Sequence, residues 1–327
     1  MWNGKKMQRA LKLFMSALPL LIVGGLLYAG LFIKPVPAGG SVSIPVFARG
    51  EGFYGLSVAD RSTVWVVGSN GKIAATENGG AEWQVQATGV TETLQSVSAW
   101  DKQRAVAVGN GGVVVVTEDG GQSWRNVEVP KSSIANKLLT VLVQPGGSAW
   151  AAGEAGNILH STDFGTTWRQ AGAHEDSAWN DIAITKNQVW LVGEFGRVKV
   201  SDDNGATWRK VTVPAKSSLM SVSFNDDGVG VAVGLGGIVL VTRDGGGKWE
   251  LASKASAEHM FNVMWDGQRW LAVGANGAIL VGDAKGAEWK ATRLSELDRN
   301  WYTAIAMHEG HYYLSGSRVV VTPANVL

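Results

Sequence analysis

Residues 105–124 read Ala-Val-Ala-Val-Gly109-Asn-Gly-Gly112-Val-Val-Val-Val-Thr117-Glu-Asp119-Gly-Gly-Gln-Ser-Trp124. An apolar run stops at Gly109, a Gly/Asn stretch reverses the chain, and four valines run back out. Gly and Asn are the residues that reach positive φ in a tight hairpin. The second run ends in Thr-x-Asp-x-Gly-x-x-Trp, where a short carboxylate caps backbone N–H groups of a turn and an indole anchors the next strand. The frame recurs. Its leading glycine falls at Gly68, Gly109, Gly153, Gly193, Gly234, Gly274 and Gly316, and its tryptophan at Trp83, Trp124, Trp168, Trp208, Trp249 and Trp289. From glycine to tryptophan the distance is 15 residues in all six complete copies, and the copies recur every 40 to 44 residues.

Each copy divides into four short β-runs. In the fifth they are Leu219–Phe224, Gly230–Val233, Ile238–Thr242 and Trp249–Ala252. A four-stranded unit of roughly 40–45 residues is the signature of a β-propeller blade. The seventh copy is cut short: after Gly316 it offers residues 318–322 and the sequence stops at Leu327 without a final tryptophan. Val42-Ser-Ile-Pro-Val46 supplies the missing run, so the expected architecture is an all-β, seven-bladed propeller over 42–327, closed as velcro between residues 42–47 and 301–322. Pro45 suits an outermost strand, where its missing N–H faces outward.

Composition agrees. The chain holds 43 Gly and 15 Trp among 327 residues, as many tight turns and many large anchors require. Apolar residues make up 45%, enough for a large core, which excludes disorder. Net charge is +1 with no long basic run beyond the N-terminus, which argues against a nucleic-acid partner. The absence of Cys removes disulfides, thiolate catalysis and thiolate metal sites.

Ahead of the repeats, residues 1–12 carry Lys5, Lys6, Arg9 and Lys12, and residues 13–33 carry no charge. Those 21 residues would rise about 31 Å as a helix, enough for a ~30 Å hydrocarbon core. Basic residues before the apolar stretch favour an N-terminus inside, and an apolar run longer than that of a signal peptide, followed by the poor cleavage site Val36-Pro-Ala-Gly-Gly40, favours an uncleaved signal anchor. Residues 34–41 then form a linker reaching about 26–29 Å when extended. The expectation is a single-pass protein of the inner (cytoplasmic) membrane, touching lipid through its helix and carrying its propeller in the periplasm.

The octets at 117–124, 161–168 and 201–208 match the Asp-box, or BNR repeat; Thr242–Trp249 has Lys248 in a Ser/Thr slot and Thr76–Trp83 has Asn78 in the Asp slot. Gly282–Trp289 has Ala284 where Asp belongs. Asp119, Asp163, Asp203 and Asp244, with Trp124, Trp168, Trp208 and Trp249, are read as structural, since equivalent turns spaced around a ring cannot converge on one substrate. Sialidases also carry Asp-boxes, but they add an Arg-Ile-Pro signature and a Tyr beside a Glu, and neither occurs here. The His308-Glu-Gly-His311 stretch falls in a turn without a third ligand in view. No catalytic residue, metal site or cofactor is expected.

Partner contact is expected on the face bearing the Gly-x-x-Gly hairpins and the blade-to-blade connections. Two hairpins depart from the Asn/Gly pattern, as Glu154-Ala155 and as Glu194-Phe195 followed by Arg197. Lys131–Lys137 and His174–Ala178 flank them, and the connection before the seventh blade carries Glu296, Asp298 and Arg299. The innermost strands open on Phe53, Leu94, Leu138, Trp179, Leu219, Met260 and Tyr302, then two residues on hold Gly55, Ser96, Thr140, Asp181, Ser221, Asn262 and Ala304. Glu154, Trp179, Glu194, Phe195 and Arg197 are the candidate partner-binding residues.

The Val-Gly-x-x-Gly…Asp-x-Gly-x-x-Trp units resemble the photosystem II assembly and stability factor propeller family, whose members extend to non-photosynthetic bacteria. The resemblance implies a non-enzymatic propeller that holds membrane-protein subunits during assembly. Bacterial relatives are often encoded beside exporters of the resistance-nodulation-division (RND) superfamily, which implies an accessory role there. Photosynthetic members carry an arginine patch, whereas Arg197, Arg209, Arg243, Arg269 and Arg299 form no run here. An integral membrane complex of the RND-transporter type is therefore the expected partner. A photosystem II-type assembly factor is the alternative within the class, and a glycan-binding or sialidase-like BNR propeller the alternative outside it.

Overall fold

A computed structural model describes residues 4–32 and 46–327. They belong to two separate units, taken one at a time.

The first contains one α-helix, α1 (Gly4–Phe32), of 29 residues. It begins nine residues before the expected Leu13, so the basic residues lie on the helix rather than ahead of it; Ile33 lies outside the described residues. Within it Lys6–Tyr28 has a mean hydropathy of 2.0, long and apolar enough to cross a bilayer. Pro19 sits inside the helix, at a place where membrane helices tolerate it. Leu13, Phe14, Leu20 and Leu26 are exposed.

The second is a seven-bladed propeller. Its innermost strands are Phe53–Val58, Leu94–Ala99, Leu138–Val143, Trp179–Ile184, Leu219–Phe224, Met260–Trp265 and Tyr302–His308. Each neighbours the next, and the last neighbours the first, so the ring closes. Six blades are four-stranded antiparallel sheets in sequential order. The fifth differs slightly from expectation. Its third strand starts at Val239, and its outer strand is only Glu250–Leu251, with Trp249 standing just before it. Outer strands this short leave little edge to template aggregation.

The leading glycines have a steric cause. Gly109 and Gly193 are extended, with φ of −166° and −162°. A Cβ at either would lie 2.2 Å from a carbonyl oxygen, that of Thr93 or Ala178, just before the inner strand. The second glycine of each hairpin is the conformational one, as at Gly196 with φ +68°. All seven inner strands slip register against their neighbours near the top, as between Trp179 and Asp181, a β-bulge that the repeat pattern does not announce.

The core lies between blades. Val106 and Val108 of the second blade pack with Leu138, Val141 and Ala149 of the third, all buried. Val231 and Val233 of the fifth meet Met260, Val263 and Trp270 of the sixth in the same way.

The seventh blade shows three strands among the described residues, ending in Val319–Pro323. Third strands of the other blades are wholly buried or nearly so, as at Val114–Thr117, but Val319, Val320 and Val321 are half-buried. Of the expected closing strand, residues 42–45 lie outside the described residues. Val46 and Phe47 are described, and they pack with Phe53, Trp83 and Val319, that is, across the first and seventh blades.

Candidate partner-binding face

The Asp-box turns lie on one face, where the third strand of a blade passes to the fourth. In the second blade, Ser123 donates its N–H to Asp119 Oδ1 at 2.9 Å and its hydroxyl to Oδ2 at 2.5 Å. Thr117 Oγ1 donates to Asp119 Oδ1 at 2.8 Å and accepts the N–H of Gly121 at 2.8 Å. The set recurs at Asp163 with Thr167 and at Asp203 with Thr207. Asp244 keeps the backbone bond from Lys248 at 2.9 Å. Hydrogen bonds from Ser123 and from Thr207 hold Asp119 and Asp203 down to about 2. Each carboxylate is thus consumed within its own turn. In the sixth blade Asp283, one position before Ala284, takes the N–H groups of Ala287 and Glu288 at 2.6 and 2.9 Å, so the turn expected to be degenerate is capped after all. Trp124, Trp168 and Trp249 are 8%, 8% and 5% exposed, and Trp208 is half-buried with its N–H on the carbonyl of Ala171 at 2.7 Å.

The opposite face carries the hairpins. The connection His174–Ala178 binds those of the third and fourth blades into one patch. Glu175 donates its N–H to the carbonyl of Ala155 at 3.0 Å, and Gly156 donates to that of Ser177 at 2.7 Å. Ala178 donates to Glu194 Oε2 at 2.9 Å, and the Arg197 guanidinium donates to Ser177 Oγ and lies 3.9 Å from Glu175. Glu175 also pairs with Lys199. Glu194 is therefore occupied as a cap, while half-buried Glu154 has no side-chain partner among the described residues. Phe195 is 66% exposed at φ +58°. Its counterparts at this turn position are Asn70, Gly111, Gly236 and Asn276, residues suited to the left-handed region, and Ala155. A phenylalanine there is strained.

Two expectations need correction. Trp179 is 1% exposed, packed between the fourth blade and its neighbours beneath Lys199, whose Nζ lies 5.3 Å from the ring; no partner reaches it. Asp298 is 4% exposed instead of a loop-surface charge: it accepts the Tyr302 hydroxyl at 2.9 Å and pairs with Arg318 at 3.3 Å. Burial pushes Tyr302 up to about 12. Sequence reasoning also passed over Ile134, 85% exposed, and Leu297, 88% exposed, in the quoted connections of this same face. Large apolar residues inside otherwise polar loops were the available signal.

The same face opens into a central channel of about 670 Å³ lined by all seven inner strands. Its mouth is a collar formed by the residue after each inner-strand anchor: Tyr54, Gln95, Leu139, Asn180, Met220, Phe261 and Thr303, all half-buried. Trp301 stacks on Tyr54 with ring centroids 5.7 Å apart. One layer below, the short polar residues brace adjacent blades. Val141 N–H donates to Ser96 Oγ at 3.2 Å, Val222 N–H to Asp181 Oδ2 at 3.0 Å, Val263 N–H to Ser221 Oγ at 3.2 Å, and Ile305 N–H to Asn262 Oδ1 at 3.1 Å. Thr140 Oγ1 adds a bond to Asp181 Oδ1 at 3.1 Å, so this carboxylate joins three blades. At Gly55 the backbones come too close for a side chain: a Cβ would lie 2.7 Å from Ser96 Cα. Burial pushes the Asp181 carboxyl up, against the pull of hydrogen bonds from Ser221, Val222, Ile182 and Thr140.

Against known proteins, the family model described as Photosynthesis system II assembly factor YCF48 matches residues 41–133, 81–179 and 200–299. A search of curated proteins finds no match. Among solved structures, "YCF48 bound to D1 peptide" superposes with a TM-score of 0.71 at 18% identity, covering 84% of this chain and 93% of that one. YCF48 from Cyanidioschyzon merolae gives 0.67 at 14% identity, covering 84% and 95%. The WD40 β-propeller domain of Doa1 gives 0.68 at 10% identity, covering 84% and 92%. At these identities the structures speak for the fold alone.

Proposed function

We propose a function that starts from family membership: the chain belongs to the photosystem II assembly factor YCF48 family. It acts as a non-enzymatic assembly-factor propeller that holds a segment of an integral membrane protein subunit on its hairpin face. One family structure holds a D1 peptide, which supports a peptide segment as the thing held. Nothing in the comparisons supports the RND-type transporter expected from sequence, or a glycan ligand, and the assembly-factor alternative takes their place. α1 serves as the anchor, with the basic residues at its start kept inside and the propeller on the other side of the membrane. Tethering makes docking effectively intramolecular, so a weak contact suffices.

The observation that carries the assignment of the face is Phe195, an exposed aromatic held in strained backbone with no ring contact of its own among the described residues. Exposed aromatics beside Arg are the usual anchors of protein contacts, and strain of this kind gathers at functional positions. Purification through a tag on the chain, after mild cross-linking, tests it. A membrane subunit should co-purify with the parent protein, and Phe195→Ala with Arg197→Glu should lose most of it at a nearly unchanged melting temperature. Full yield from the double variant would move the contact elsewhere.

A further inference from the structure

The channel beneath the hairpin face has a composition that its bracing role leaves unused. Its walls contain one charged side chain, Asp181; every other lining residue is apolar, aromatic or a neutral polar group. No Lys or Arg pairs with Asp181 among the described residues. Its hydrogen bonds from Thr140, Ile182 and Val222 come from neutral donors, at 3.1, 2.9 and 3.0 Å, so they bring it no compensating positive charge. Directly above it stands the collar, where Tyr54, Leu139, Met220 and Phe261 supply apolar surface. A lone carboxyl that burial pushes up is held ionised by an arriving cation, and under an apolar rim it selects one carried on a hydrocarbon stem: the stem takes the rim, aromatic rings favour the approaching cation, and the charge meets the carboxylate in a poorly solvated setting.

We propose that the channel mouth seats one lysine or arginine side chain of the client segment, with its aliphatic stem in the collar and its ammonium or guanidinium at Asp181. The proposal rests on the assembly-factor reading for the nature of the client, and it names what the hairpin face recognises. Collar and hairpin patch share one face, because each inner strand begins opposite the glycine that opens its blade's hairpin, as Trp179 pairs with Gly193. A segment crossing Phe195 can therefore drop a side chain into the channel. A free peptide N-terminus carries similar chemistry and is separated from the side chain by the test.

The experiment uses the full chain in detergent micelles, with backbone amide resonances followed by NMR. n-Butylammonium and n-butylguanidinium are titrated in, with n-butanol as the uncharged control. Saturable shifts at Asn180, Asp181 and Phe261 are expected for both cations, about tenfold tighter than for n-butanol, as a hydrogen bond to a charged group provides. Asp181→Asn should abolish the preference for cations. Equal response to n-butanol, no saturable shift, or a preference surviving in Asp181→Asn overturns the proposal. Should that variant fail to fold, Phe261→Ala replaces it: weakened n-butylammonium binding at an unchanged melting temperature supports the site, and full binding overturns it. Acetyl-Ala-Ala-Lys-Ala-Ala-amide should reproduce the shifts, and binding confined to unacetylated Ala-Ala-Ala-Ala-amide overturns the side-chain assignment. The client pull-down is scored separately: a client captured as well by Asp181→Asn as by the parent defeats the channel proposal alone, whereas no captured client defeats the assembly-factor reading whatever the channel binds.

Discussion

Two phenylalanines with left-handed backbone separate structure from function at the residue scale. Phe164 has φ +56°, but its ring packs edge-on against Trp100 with centroids 5.4 Å apart and lies 4.0 Å beneath the Arg104 guanidinium, so packing offsets the strain. Phe195 has the strain without the packing. Phe195→Asn, matching Asn70 and Asn276, should therefore stabilise the propeller by about 1 kcal/mol, since the left-handed region costs a bulky residue that order of energy. The same substitution should weaken client retention, and thermal melts beside pull-down yields check both directions. His160 is a second case. It is 7% exposed, stacked on Trp150 with ring centroids 4.0 Å apart, and burial, aided by the charge of Arg169, holds it down to about 4. Its folded pKa lies below the unfolded value of about 6.5, so its contribution is present above pH ~6.5 and fades as pH falls toward 4. His160→Asn should flatten melting temperature against pH across that window. Phe195, placed by the sequence in a hairpin among the expected contacts, is indeed exposed; the burial of Trp179 was the harder reading, because an inner-strand aromatic is covered by a neighbouring blade supplied some 40 residues away. The sixth Asp-box shows a milder failure: Asp283 does the capping from one position earlier, which a fixed spacing misses.

Blades are where the sequence was most legible. Invariant glycine-to-tryptophan spacing specified six units, and the leading Gly316 the seventh, with the hairpins within them, since both residues answer to geometry inside one blade. The β-bulges, which lie between the first two strands of each blade, carry no residue signature in the repeat, and the Ser/Thr/Asp/Asn braces escaped because they depend on backbone approach between blades; Asp181 and Asn262 stood out only as polar residues. Two predictions belong to this scale. Trp124→Ala should cost about 3–5 kcal/mol, as removal of a buried indole does, with client binding reduced only in proportion to lost folded protein; a well-folded variant that specifically lost binding would contradict a structural role. Phe47 sits 5.0 Å from Phe53 and 5.3 Å from Trp83 by ring centroids, tying the entry of the chain to the first blade. Phe47→Ala should cost about 2 kcal/mol, less than a fully buried ring. Deleting 42–47 should cost more, and an unchanged melting temperature would show that the seventh blade takes no strand from that end.

At the largest scale the propeller is a closed ring fixed by blade-to-blade burial, and one face is left with a strained aromatic, two exposed aliphatics and a channel mouth. On the Asp-box face the carboxylates of Asp119, Asp163 and Asp203 are spent on their own turns. Binding should therefore be one-sided. The most direct measurement places a photo-cross-linking phenylalanine analogue at Phe195, and in a second strain at exposed Lys102 on the Asp-box face, and identifies adducts in intact cells by mass spectrometry. One-sided binding predicts a strong adduct between position 195 and an integral membrane subunit, most abundant while that subunit is newly made, and little from position 102. An adduct from position 102 but none from 195, or equal adducts with many unrelated proteins from both, would contradict it.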